Sequence, residues 1–83
     1  MLLLIEVADT SVEYDRDVKG PLYAAAGIPE YWLIDLNGER LLAYREPSPE
    51  GYRLVRTLRR GEQIAPLAFP DSPLAVTDLL GPR

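Results

Sequence analysis

Residues 2–35 read LLLIEVADTSVEYDRDVKGPLYAAAGIPEYWLID, and the order of apolar runs, turn residues and helical spacing in this stretch decides the fold. Leu2 to Ala8 is apolar except for Glu6, which is how a strand buried on both faces reads, as opposed to the alternation of a half-exposed one. A central strand is expected there, with neighbours on both sides. Asp9-Thr10-Ser11 then makes a polar turn. From about Asp15 to Ala26, the residues Val18, Leu22, Tyr23 and Ala26 fall at helical spacing, so the main helix is placed there with Asp15 as its candidate N-cap. Gly20-Pro21 is a poor pair for a helix interior, because Pro21 brings no backbone donor and crowds the preceding turn; a kink or a late start is expected. Gly27, with Pro29 beyond it, supplies the stop.

Further along, Tyr31 to Asp35 reads as a strand, Leu36-Asn37-Gly38 as a tight turn and Arg40 to Glu46 as the antiparallel return strand. Pro47-Ser48-Pro49-Glu50-Gly51 is a loop, and Tyr52 to Leu58 continues the meander. Pro66, Pro70 and Pro73 restrict the loosely packed tail to short extended pieces near Gln63 to Ile64 and Leu74 to Val76. Thr77 is a candidate cap for a final turn over Asp78 to Leu80. The fold class is therefore α/β: a mixed, mostly antiparallel sheet with one main helix, ordered strand-helix-strand-strand-strand plus a short C-terminal turn.

Eighty-three residues make one domain at most, and so short a chain buries a small fraction of its surface, which makes oligomerisation an expectation. There is no cysteine and no histidine. Disulfides, zinc-finger chemistry and His-based acid/base catalysis are excluded, and any metal site must use oxygen ligands, which favours magnesium or manganese. MLLLIEV has no basic n-region and is interrupted by Glu6, so it is not read as a signal peptide. No stretch approaches the roughly 20 apolar residues of a membrane span. A cytoplasmic location is expected. The net charge of −4 disfavours unaided binding to a phosphate backbone. The one basic cluster, Arg53, Arg56, Arg59 and Arg60, reads as a solvated strand edge and turn before it reads as a phosphate contact.

Glu6 is the residue most in need of a reason, since a carboxylate in an apolar strand is costly to bury unless it meets a cation, a metal or water. The alternative is a charge that protects an edge strand from aggregation. Lys19 lies early in the following helix, where a crossover packed onto the sheet can bring its ammonium toward the strand; alternatively it is ordinary solvated helix surface. Asp15 and Asp17 suit the helix N-terminus, and Asp9 a turn. Tyr23, Tyr31 and Trp32 read as core aromatics. No glycine-rich phosphate loop and no Ser or Cys nucleophile with a basic partner is present.

IEVADTS (5–11), YDRDVKGPLY (14–23) and GIPEYWLIDL (27–36), within the run from Leu2 to Val55 and continued by LRRGEQIAPLAFPDSPLAVTDLL (58–80), resemble a restriction-endonuclease-like family of bacterial proteins in the PD-(D/E)xK nuclease superfamily. The resemblance covers essentially the whole chain. It implies metal-assisted hydrolysis of DNA phosphodiesters. It assigns the second acidic metal ligand to Glu6 and the main-chain ligand to the carbonyl of Val7. Ala8 stands where the superfamily's usual lysine would be, and the family's lysine corresponds to Lys19 on the following helix. Asp15 matches another recurring acidic position without an assigned role. The resemblance also implies, ahead of this stretch in family members, a helical acidic residue, the first metal-ligand Asp and the strands flanking the Glu6 strand. The chain is thus expected to be the C-terminal part of a nuclease domain, silent alone, binding magnesium or manganese weakly and completed by a complementing N-terminal chain or a homo-oligomer. The competing expectation is a non-enzymatic assembly module that dimerises through its first strand.

Overall fold

The computed structural model describes residues 2–9 and 12–82, the side chains of Val12 and Asp15 excepted. The turn expected at Asp9-Thr10-Ser11 falls largely outside these residues. The elements are β1 (Leu4–Ala8), α1 (Val12–Tyr14), a π-helical turn (Asp15–Lys19), α2 (Gly20–Ala25), β2 (Glu30–Asp35), β3 (Arg40–Ser48), β4 (Gly51–Arg59), β5 (Gln63–Ile64), β6 (Leu74–Ala75) and α3 (Val76–Leu80). Among the described residues no helix is long and apolar enough to cross a membrane.

The helical run begins at Val12, ahead of the Asp15 expected to cap it, so Asp15 lies inside the run. The irregularity expected of Gly20-Pro21 is present as the wider turn over Asp15–Lys19. A proline lacks the donor for the carbonyl one turn back and its ring crowds that carbonyl, which here is Asp17's; opening the turn at that point lets the helix continue in place of stopping. The end is a Schellman motif: Ile28 N donates to the Tyr23 carbonyl at 3.1 Å and Gly27 N to Ala24 at 2.9 Å. Gly27 holds φ 77°. A Cβ there meets no atom within 4 Å, so only backbone strain opposes a side chain. Gly27→Ala is expected to lower stability by about 1–2 kcal/mol, read from urea unfolding.

The main sheet has the order β1-β2-β3-β4. β1 runs parallel to β2, with Leu4 opposite Tyr31, Glu6 opposite Leu33 and Ala8 opposite Asp35; β2–β3 and β3–β4 are antiparallel. The mixed, mostly antiparallel α/β class is therefore as read. The central-strand expectation is corrected: among the described residues β1 is an edge strand, with Ile5 43% and Val7 61% exposed, and β2 is the strand buried along its whole length. Composition could not separate the two, because an apolar run reads alike whether or not both faces are covered.

Two cores flank the sheet. On the helix side, Ala8, Tyr31, Leu33, Leu42 and Tyr44 form one, with Leu4, Tyr23 and Tyr52 against it. On the other, Trp32, Ile34, Leu41, Ala43 and Leu58 meet Ile64, Val76 and Leu80 from the tail. β5 and β6 pair antiparallel where short extended pieces were expected. The tail is not loosely packed. Fully buried Glu30 accepts from Trp32 Nε1 at 2.7 Å, Arg45 Nε at 2.7 Å and Leu67 N at 2.8 Å, while Arg45 also donates to the Ala65 carbonyl at 2.9 Å. Thr77 is not a cap: α3 starts at Val76, and the Thr77 hydroxyl instead accepts from Gly61 N at 3.1 Å.

The β2–β3 turn is organised by Asp35, whose carboxylate accepts from Gly38 N at 3.0 Å and Arg40 Nε at 2.8 Å. A Cβ on Gly38 would collide with that carboxylate, which Arg40 and the Gly38 N–H hold in place, so glycine suits the close approach in this turn. Burial pushes the Asp35 carboxyl up, but the Arg40 hydrogen bond, the Gly38 N–H and the Arg40 and Arg59 charges outweigh it and hold it below the usual carboxylate value. A depressed folded-state value means stability fully present above the unfolded value of about 3.9 and lost as pH falls through the folded one. Asp35→Asn is expected to lower stability at neutral pH and to flatten its loss in acid below pH 4, as measured by denaturant titration across pH.

Candidate functional site

Side chains alternate along β1, so Leu4, Glu6 and Ala8 face the helix while Ile5 and Val7 face away. The parallel pairing requires a crossover between β1 and β2, and the helix in that crossover lies over Glu6. Lys19 and Tyr23 are four residues apart and so share one helix face. Lys19 Nζ donates to Glu6 Oε2 at 3.1 Å, and the Tyr23 hydroxyl donates to Glu6 Oε1 at 2.6 Å. Each carboxylate oxygen thus has its own partner. The pair is only partly buried, with Glu6 23% and Lys19 35% exposed at the side chain, so the carboxylate is anchored and still reachable from solvent.

Tyr23 is held from behind. Its ring meets Tyr31 edge-on at 5.1 Å, Tyr31 stacks on Tyr44 at 5.3 Å, and Tyr52 closes the group at 5.8 Å from Tyr44, its hydroxyl donating to the Ile28 carbonyl at 2.7 Å. Burial pushes the Tyr44 and Tyr52 hydroxyls above their ordinary values, so both stay neutral.

Ala8 accepts a hydrogen bond from Leu36 N at 3.0 Å through its carbonyl, so that carbonyl points at β2. Successive carbonyls of a strand point to opposite edges. The Val7 carbonyl therefore points away from β2, toward the edge of β1 that is open among the described residues. The Asp15 side chain lies outside the described residues. Asp17 pairs with Arg16 at 2.9 Å on the surface, a contact that holds its carboxyl below the usual value and leaves it no part at Glu6. Asp9 is exposed, its carbonyl accepting from the Asn37 side chain. Among the described residues no three acidic side chains gather as a metal cluster.

Arg53 and Arg56 are exposed on β4, whereas Arg59 donates to the Gly38 carbonyl and Arg60 pairs with Glu39 at 2.9 Å. An open cleft of about 510 Å³ lies against Leu36, Asn37, Glu39, Arg60, Leu80 and Pro82 and includes none of Glu6, Lys19 or Tyr23. Tyr23 is the site residue that sequence reading missed. Its signal was the spacing from Lys19, which sets the two side chains on one helical face, but an aromatic at an apolar position reads first as core.

A profile of the family Uma2, described as "Putative restriction endonuclease", matches residues 1–77, from β1 through β6. The chain belongs to the Uma2 family. Searches among curated proteins and among solved structures return no match. As an Uma2 member the chain is a nuclease-like domain. Within this Uma2 domain the Lys19–Glu6 pair is too exposed to be a large source of stability. A double-mutant cycle with Glu6→Gln and Lys19→Met is expected to give a coupling of about 1 kcal/mol or less in thermal or urea unfolding, with all three variants folded.

Proposed function

We propose that this chain carries the carboxylate and the lysine of a divalent-metal-dependent site for hydrolysing DNA phosphodiesters. The observation that carries this reading is the 3.1 Å contact of Lys19 Nζ with Glu6 Oε2, made between a helix and an edge strand with the carboxylate still solvent-accessible. Membership of the Uma2 family supplies the reaction class.

The donor chemistry fits magnesium or manganese in part. A carboxylate offers about four lone-pair sites, and the Lys19 and Tyr23 contacts use two of Glu6's. Glu6 and the outward carbonyl of Val7 would hold the ion, with water completing its shell, a composition that magnesium accepts and that binds weakly. A divalent ion held there polarises phosphoryl oxygens and lowers the pKa of bound water. Lys19 orients the attacking water and offsets negative charge developing on the phosphate, a role that an ammonium anchored on one carboxylate oxygen can perform without reorganisation. A further carboxylate would come from a segment beside β1, whose outer edge is open among the described residues. A DNA substrate suits a cytoplasmic location.

A second reading is favoured by one observation: Ile5 and Val7 stand exposed beside an edge that is open among the described residues. An edge of this kind recruits another strand, and the domain would then serve assembly without catalysis. Isothermal titration with manganese, beside Glu6→Ala and Lys19→Ala, separates the two. The first reading expects weak binding that Glu6→Ala abolishes and Lys19→Ala retains, with no plasmid cleavage by the chain alone. Binding indifferent to Glu6 would sink it. Folding that depends on protein concentration and ignores metal would favour the assembly module.

A further inference from the structure

We infer that Tyr23 is a positioning residue for the Glu6 carboxylate, setting its plane so that one oxygen stays with Lys19 and the remaining lone pairs face solvent. The inference deepens the metal-site reading and rests on it for its functional consequence; the contact itself does not depend on it.

A carboxylate on a glutamate side chain turns easily, because its terminal torsion is broad and roughly two-fold. One salt bridge leaves that rotation open, since an ammonium is a compact charge that can follow either oxygen. Two partners on different oxygens close it. Lys19 takes Oε2 and Tyr23 takes Oε1, and both project from the same helix face, so the plane of the carboxylate is referred to the helix. The Tyr23 contact, 2.6 Å, falls in the range of a hydroxyl donating to a charged oxygen, the stronger class of hydrogen bond.

Tyr23 is itself fixed at both ends. Its backbone carbonyl takes the Schellman bond from Ile28 N, and its ring stands edge-on to fully buried Tyr31. A hydroxyl carried on so constrained a ring gives a direction as well as a hydrogen bond. Outer groups that orient a metal-ligating side chain typically change metal affinity about 10- to 100-fold when removed.

Tyr23→Phe removes the hydroxyl and keeps the ring. The test compares wild type, Tyr23→Phe and Tyr23→Leu, with Glu6→Gln assigning the Glu6 carboxyl resonance in protein carrying 13C-labelled glutamate. In Tyr23→Phe the Glu6 carboxyl carbon and the Lys19 ammonium are expected to shift together without metal, while the unfolding midpoint stays near wild type. Manganese affinity is expected to fall about 10- to 100-fold, and Tyr23→Leu to show the same loss together with lower stability. A Glu6 resonance unchanged in Tyr23→Phe overturns the inference. So does manganese affinity unchanged in Tyr23→Phe while Glu6→Ala still abolishes binding, an outcome that leaves the metal site standing. If wild type binds no manganese but the Glu6 and Lys19 resonances move together in Tyr23→Phe, the metal-site reading fails and the positioning of Glu6 by Tyr23 stands.

Discussion

Two strands that run in the same direction cannot be joined by a tight turn, and the parallel pairing of β1 with β2 therefore obliges the chain between them to travel back across the sheet. In this protein that return is the helical run from Val12 to Ala25. The rest of the candidate site follows from it. A helix laid over one face of β1 presents residues four apart to whichever β1 side chains point that way, and so Lys19 and Tyr23 reach the two oxygens of Glu6. The π-helical turn ahead of Pro21 keeps the run continuous through a proline that would otherwise break it, and Lys19 is the last residue of that turn. The Schellman stop at Gly27 then sets where β2 begins.

Three carboxylates on strands show how burial and partners separate structural acids from a candidate site. Glu30 is fully enclosed and accepts from a tryptophan ring, an arginine and a backbone amide, which ties the proline-rich tail to the sheet. Asp35 is nearly as buried and is occupied by its own hairpin turn. Buried charge is tolerable only when satisfied in this way, and neither group has room for a ligand. Glu6 alone of the three combines anchoring partners with access to solvent. That difference, more than the presence of an acid in an apolar strand, is what distinguishes it.

Membership of the Uma2 family and the geometry at Glu6 speak to different links of the argument. The family makes the chain a nuclease-like domain. The geometry supplies a partly exposed carboxylate held by an ammonium and a tyrosine hydroxyl. Among the described residues β1 has an open edge, so a strand pairing there would also lie near Glu6. Assembly and catalysis need not be opposed in such an arrangement.

The order of elements was legible because it rests on local signals: helical spacing from Val18 to Ala26, Gly27 as a stop, the Asn37-Gly38 turn and the prolines that shorten the tail. Glu6 and Lys19 were legible as candidates through the residues around them and the family they resemble. The sequence by itself determined the donor types available, since a chain without histidine or cysteine can offer a metal only oxygen. Tertiary structure decided the rest. Among the described residues it placed β1 at an edge where composition pointed to the centre, because neighbours, which composition does not record, determine whether an apolar face is covered. It turned Tyr23 from a core ring into a partner of Glu6, because a tyrosine has an apolar body and a polar tip, and where the tip points depends on what the crossover brings beneath the helix.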